Sequence, residues 1–147
     1  MWRAERAKYH CLRIHSSELF GRTRVQEAWP IEIRLLDQGQ SLKIIYDDHA
    51  AFQLSAELLR IRSPSAEVQG HSPAERKTVG GKRLIKILTA SQVGNYAVRL
   101  DFDDGHRTGI YTWSYLRQLG ETQQQSFADY LLELTAKGLN RDQPGER

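Results

Sequence analysis

Three observations predict an α+β fold. Apolar and polar residues alternate in several short runs, each bounded by Asp, Asn or Gly. One block of strand, turn, strand and helical turn occurs twice, on either side of a long polar loop. The C-terminal part then changes to a helical period. Together they describe a small, mostly antiparallel sheet built from two similar β-β-β-α halves, plus a C-terminal amphipathic helix.

The first half starts at Pro30. Ile31, Ile33 and Leu35 alternate with Glu32 and Arg34, which is the period of a strand with one buried face. Asp37 to Gln40 is a turn, and Leu42 to Tyr46 is a second strand, so the two make a hairpin. Asp47-Asp48 turns the chain again into a short strand, Ala51 to Leu54. Ser55 has the chemistry of an N-cap for a short helix, Ala56 to Leu59. Arg60 to Arg83 is polar and holds two of the four prolines, so it reads as a long loop of the kind that carries function.

The second half repeats the scheme. Leu84 to Leu88 is a strand, Ser91 to Asn95 a turn, and Tyr96, Val98, Leu100 and Phe102 form the apolar face of the next strand. Asp103-Asp104-Gly105 supplies hairpin-turn residues, followed by another short strand. Thr112 caps a helix, Trp113 to Leu119, which Gly120 stops. Thr122 and Gln125 have capping-box spacing. Phe127, Tyr130, Leu131 and Leu134 mark an amphipathic helix over 123–137 that ends at Gly138 before a tail. If Gly105 is an inserted residue, the run from Tyr46 aligns with the run from Phe102. Asp47 then matches Asp103, Asp48 matches Asp104, His49 matches His106, Ser55 matches Thr112 and Arg60 matches Arg117.

Charge divides the chain unevenly. Residues 1–29 hold six Lys/Arg against three Asp/Glu, whereas 30–147 hold fifteen of each. The expected organisation is a basic, poorly ordered N-terminal extension (1–29), a globular domain (30–120), and a C-terminal helix and tail (121–147). A balanced body argues against a nucleic-acid-binding face. No run approaches the roughly 20 apolar residues of a membrane helix. The N-terminus lacks a hydrophobic signal core, so a cytoplasmic location is expected. A single cysteine, Cys11, makes no internal disulfide and no thiolate cage.

The runs LSAELLRIRSPSAEVQGH, VGNYAVRLDFDDGHRTGIYTW and SYLRQLG resemble the DUF971 group of small bacterial proteins. That group is similar to the N-terminal domain of gamma-butyrobetaine hydroxylase, and related domains are fused to iron–sulfur carrier proteins. In the hydroxylases the resemblance implies a structural zinc held by three cysteines and a histidine. Here Ser63, Ser65 and Val68 stand where the cysteines would be, and His106 matches the histidine. Neutral hydroxyls are poor zinc ligands, so no metal is expected at that place. The resemblance implies that the Ser63–His71 loop lies against the Asp103–His106 turn, and hydrogen bonds among Ser63, Ser65, Glu67, His71, Asp104 and His106 are expected to join them in place of the metal.

Three chemistries do not fit the residues. Iron(II) oxygenases need an acidic residue two after a histidine. The residues at those places are Leu12, Ser17, Ala51, Pro73 and Thr108. Serine–histidine hydrolysis lacks a nucleophile elbow. Thr78 to Arg83 is an incomplete phosphate loop. The expected function is therefore a non-catalytic accessory or protein-interaction module, linked to iron–sulfur protein maturation by family association alone. Its candidate binding residues are Arg60, Arg62, Ser63, Ser65, Glu67, His71, Asp104 and His106. The expected partner is a protein, with an iron–sulfur carrier as the suggested class, and homo-oligomerisation stays open. No cofactor is expected. The alternative is a Zn- or Fe-binding protein that uses His71 and His106.

Overall fold

The computed structural model describes residues 12–13, 29–70 and 76–142. In chain order the elements are β1 (Leu12–Arg13), β2 (Pro30–Leu36), a 3-10 turn (Asp37–Gly39), β3 (Ser41–Tyr46) and β4 (Ala51–Ser55). Two short helices follow, α1 (Ala56–Ile61) and α2 (Ala66–Gln69). Then come β5 (Ile87–Val93), β6 (Ala97–Phe102), β7 (Gly109–Thr112) and a long helix, α3 (Trp113–Ala136). β1 to β4 form one antiparallel sheet and β5 to β7 a second, each in sequence order. Among the described residues no helix is long and apolar enough to cross a membrane.

Alternation builds most of the core, but Ile31, expected on the buried face of the first strand, is 42% exposed, because the register of β2 against β3 shifts between Pro30 and Glu32. Ile33, Leu42, Ile44 and Leu54 face inward from the first sheet, and Ile87, Val98, Leu100 and Tyr111 from the second. Trp113, Leu116, Leu119, Tyr130 and Leu134 of α3 close the same core. Four tyrosines fasten it by donating their hydroxyls to distant carbonyls. Tyr46 bonds Trp113 O at 2.7 Å and Tyr130 bonds Val79 O at 2.9 Å, while Tyr111 reaches Leu59 O and Tyr115 reaches Arg62 O. The last two satisfy carbonyls at the end of α1 that the helix itself leaves open.

The internal repeat is written in matched hydrogen bonds. Ser55 Oγ accepts from Leu58 N at 3.1 Å, and Thr112 Oγ1 accepts from Tyr115 N at 3.2 Å. Asp48 Oδ1 accepts from Ala50 N at 3.2 Å, and Asp104 Oδ1 accepts from His106 N at 3.1 Å. Asp47 Oδ1 accepts from Trp29 N, and Asp103 Oδ1 from Lys86 N, both at 3.1 Å. The two arginines cross over. Arg60 of the first half pairs with Asp104 of the second at 2.9 Å, and Arg117 of the second pairs with Asp48 of the first at 2.8 Å. Arg60 Nη1 and Arg117 Nη1 are also the two buried side-chain polar atoms without a hydrogen-bond partner among the described residues. The guanidinium of Arg117 lies 5.2 Å from the Tyr46 ring centre.

Several boundaries differ from the sequence expectation. The strand expected over Leu84 to Leu88 begins instead at Ile87, because a turn closed by Ile85 N to Lys82 O leaves Leu84 73% exposed. That strand runs through the expected turn to Val93, and the reversal falls at Gly94 to Tyr96. Tyr96 is consequently exposed rather than on the buried face. The polar loop is not structureless, since Ser65 caps the four-residue helix α2. Gly120 does not stop a helix, and Thr122 bonds back to Gln118 O at 2.7 Å rather than capping a new one. A Cβ on Gly120 would lie 2.4 Å from Phe52 Cγ, so this glycine marks close packing of α3 on β4. The tail expected after Gly138 is docked in part, with Gly81 N bonded to Asn140 O and Arg83 N to Arg141 O. The expectation for residues 1–29 lies mostly outside the described residues; Leu12–Arg13 within it pairs with Ile33 and Glu32.

Gly120→Ala tests this packing. Helix propensity alone stabilises by about 1 kcal/mol. The contact with Phe52 reverses that sign, and urea unfolding is expected to show a loss of about 1–3 kcal/mol, relieved when Phe52 is also shortened to Leu.

Candidate functional site

The two halves meet where the end of α1 faces the turn between β6 and β7. Ser55 starts α1, and its short length leaves Arg60, Arg62 and Ser63 at its C-terminal end. Asp103-Asp104-Gly105 turns β6 back, with Gly105 at φ 90°, and delivers His106 to the same place. Ser63 Oγ lies 2.9 Å from His106 Nε2, and Ser63 is wholly buried. On the other side of the ring, Nδ1 lies 3.3 Å from Glu67 Oε2 at the first turn of α2. An Nδ1–H aimed at that carboxylate leaves Nε2 to accept the Ser63 hydroxyl proton.

The neighbouring hydroxyls continue the chain of bonds. Thr108 Oγ1 lies 3.4 Å from Glu67 Oε2 and 2.8 Å from Ser65 Oγ. Ser65 Oγ in turn accepts from Glu67 N, and Gln69 Nε2 donates to Ser63 O at 2.8 Å. The result is a clasp in which α1, α2 and the β6–β7 turn hold one another through side chains. A Cβ on Gly109 would stand 2.7 Å from Ser63 Oγ, so the clasp also needs glycine at that strand position.

Charge surrounds the clasp. Asp104 Oδ2 is shared by Arg60 Nε at 2.9 Å and Lys82 Nζ at 2.6 Å. Burial alone raises the Asp104 pKa, but the bonds from Lys82, the His106 N–H and Arg60 outweigh it and hold it at about 2. Burial lowers the His106 pKa and Arg60 lowers it further; together they outweigh the opposite pull of Glu67 and Asp104. The imidazole is thus kept neutral near neutral pH.

Most of the residues expected from the sequence meet here: Arg60, Ser63, Ser65, Glu67, Asp104 and His106. Arg62 does not. It turns toward α3, donating to Ser126 O at 3.2 Å and Glu133 Oε1 at 3.3 Å, where Glu133 also takes bonds from Arg76 and Thr78. His71 lies outside the described residues. Sequence reading missed Thr108, Lys82 and Glu133. Thr108 stands two after His106, where only an acid would have signalled a metal ligand. The expected surface also differs in kind, because Arg62, Ser63, Ser65 and His106 are buried and bonded to their neighbours. Glu67, with a side chain 65% exposed, is the clasp's outward member.

Two open grooves lie elsewhere. One, of about 510 Å³, is bordered by Trp29, Tyr96, Trp113 and Arg117. The other, of about 630 Å³, is bordered by Glu57, Gln123, Phe127 and Arg141.

The family model for gamma-butyrobetaine hydroxylase-like N-terminal domains matches residues 33–117. Two solution NMR structures of proteins match with a TM-score of 0.69. One is 40% identical and covers 82% of this chain and 94% of that one. The other is 39% identical, covering 82% and 91%. A crystal structure of a DUF971-family protein of unknown function from Acidithiobacillus ferrooxidans ATCC 23270 is 37% identical, covers 62% of this chain and 91% of that one, and has a TM-score of 0.52. No curated protein matches the chain.

The residues present do not fit the zinc that the hydroxylase resemblance implies. Ser63 and Ser65 offer neutral oxygens already engaged with His106 and Thr108, and Val68 is an apolar side chain 2% exposed. Among the described residues, no three His, Cys, Asp or Glu side chains converge as a metal site requires.

Ser63→Ala leaves buried His106 Nε2 without a partner and is expected to cost about 1–3 kcal/mol in urea unfolding. Because the folded state lowers the His106 pKa below the ordinary 6.5, its contribution is complete above that pH. It is lost progressively as the pH falls from there through the lowered folded value. Melting curves of wild type and His106→Gln should therefore differ in pH slope below 6.5 and run parallel above it.

Proposed function

The chain belongs to the gamma-butyrobetaine hydroxylase-like N-terminal (DUF971) family, and on that premise we propose that it is a non-catalytic accessory module that acts by binding another protein. One observation carries the reading. Ser63, His106 and Glu67 have the order of a serine–histidine–acid relay, yet Ser63 is 0% exposed and bonded inward. A nucleophile must reach a substrate carbonyl, and this one is sealed by its own fold. The arrangement serves to hold a loop, and what remains for function is the surface that loop presents.

In this reading the clasp is a frame. Ser63, Ser65, Asp104 and His106 fix the backbone from beneath, and the outward side chains Glu67 and Arg107 meet the partner. The family association with iron–sulfur carriers makes such a carrier the first partner to test, in the cytoplasm.

Tagged wild type is expected to retain an iron–sulfur carrier of its own cell on co-purification. Glu67→Lys and Arg107→Glu should lose it without a change in melting temperature. Retention by both variants, or none by wild type, contradicts the reading. Elemental analysis of the same preparations separates the metal-binding alternative. Near-stoichiometric Zn or Fe in wild type, absent from His71→Ala and His106→Ala, would replace the accessory module with a metal protein.

A further inference from the structure

The larger groove has a charged floor that the clasp does not use. Glu57, the second residue of α1, is 4% exposed. Arg141 meets both of its carboxylate oxygens, Nε to Oε1 at 2.8 Å and Nη2 to Oε2 at 2.6 Å. Such a fork is how a guanidinium recognises a carboxylate. The same guanidinium lies 5.0 Å from the centre of the Phe127 ring, close enough for the ring face to attract it. A buried carboxylate and an aromatic wall together make a complete receptor for one guanidinium. Beyond it the groove continues past Gln53, Gln123 and Gln124, which supply uncharged donors and acceptors.

The two partners differ in how they are held. Glu57 belongs to the core helix α1, with a side chain 5% exposed, whereas the Arg141 side chain is 26% exposed. Arg141 lies on the segment after α3, which is strapped to the body by main-chain bonds from Gly81 and Arg83. The acid is fixed in a core helix and the base is carried on the segment after α3.

We propose that this groove is an arginine-binding site, occupied in cis by Arg141, in which an arginine of a partner protein takes Arg141's place. The proposal rests on the reading of the chain as a protein-binding module and names the chemistry of what it binds. A carboxylate buried this deeply is strongly unfavourable without a cation, so the strap does not simply lift away. It is exchanged for another guanidinium. Lysine cannot reproduce the fork or lie flat on Phe127, and an acidic or apolar segment offers nothing to Glu57. The cis contact thereby selects the partner.

The test uses full-length Arg141→Ala and the probe N-acetyl-arginine amide. The variant should melt below wild type and recover saturably as the probe is added, with amide shifts at Leu58 and Phe127. N-acetyl-lysine amide should bind roughly tenfold or more weakly, a difference of one decade in Kd. N-acetyl-citrulline amide should leave the melting temperature unchanged, and Glu57→Gln with Arg141→Ala should show no recovery. If Arg141→Ala does not fold, Arg141→Gln, which keeps the side-chain stem, carries the same titration. No saturable binding, binding that survives Glu57→Gln, or equal binding of the lysine probe overturns the proposal. The carrier co-purification uses neither Arg141 nor Glu57, so either result can fail without the other.

Discussion

The structure depends on the contact between Arg60 and Asp104. It joins the end of the first half to the turn of the second, with the Arg60 side chain only 12% exposed and Asp104 21%. Everything in the clasp follows from that placement. With the turn drawn to the end of α1, His106 falls against Ser63, and Glu67 at the start of α2 falls on the far side of the ring. Lys82 adds a second cation on the same carboxylate oxygen and brings the far end of the polar loop to the site. One aspartate therefore gathers α1, the loop and the second sheet.

The repeat explains why this contact has a counterpart. Arg117 and Asp48 make the same kind of pair across the other pseudo-equivalent junction, but with greater exposure, 29% and 43%. There the space beside the pair stays open as the groove bordered by Trp29, Tyr96 and Trp113. At the Arg60 junction, α2 and its N-cap Ser65 engage the turn through Glu67 to His106 and Ser65 to Thr108. Two similar halves thus give two dissimilar places. His49 and His106 occupy matching positions, yet only His106 is enclosed; His49 stands exposed at φ 71°.

Much of this was legible in the residues. Alternation in 33–35, 42–46 and 98–102 reports which side chains are buried, though it fails at Ile31 and Ala97, and the double-aspartate turns with their Ser55 and Thr112 caps report the repeat. Those signals are mostly local: the caps and the bonds of Asp48 and Asp104 close within three residues, while Asp47 and Asp103 reach back to Trp29 and Lys86. The expected meeting of Ser63 and His106 came from a family resemblance, since the two are 43 residues apart. Gly120 was misread because its meaning lies in Phe52, 68 positions away on another element. The start of β5 was misplaced because a turn at Lys82–Ile85 outweighs the apolar character of Leu84. Exposure of the candidate site was misjudged for a similar reason: polar residues were taken for a surface, whereas their partners are other polar residues that fold over them.

A double-mutant cycle on Arg60 and Asp104, read by urea unfolding of Arg60→Ala, Asp104→Ala and the double variant, tests this account most directly. It predicts a coupling free energy of about 1–3 kcal/mol, since the two side chains meet directly across the junction, while the bonds of Asp104 to Lys82 and to the His106 N–H do not involve Arg60. Additivity to within about 0.5 kcal/mol would mean that the halves are held without this pair, by the apolar core and the other bonds between them, and would contradict it.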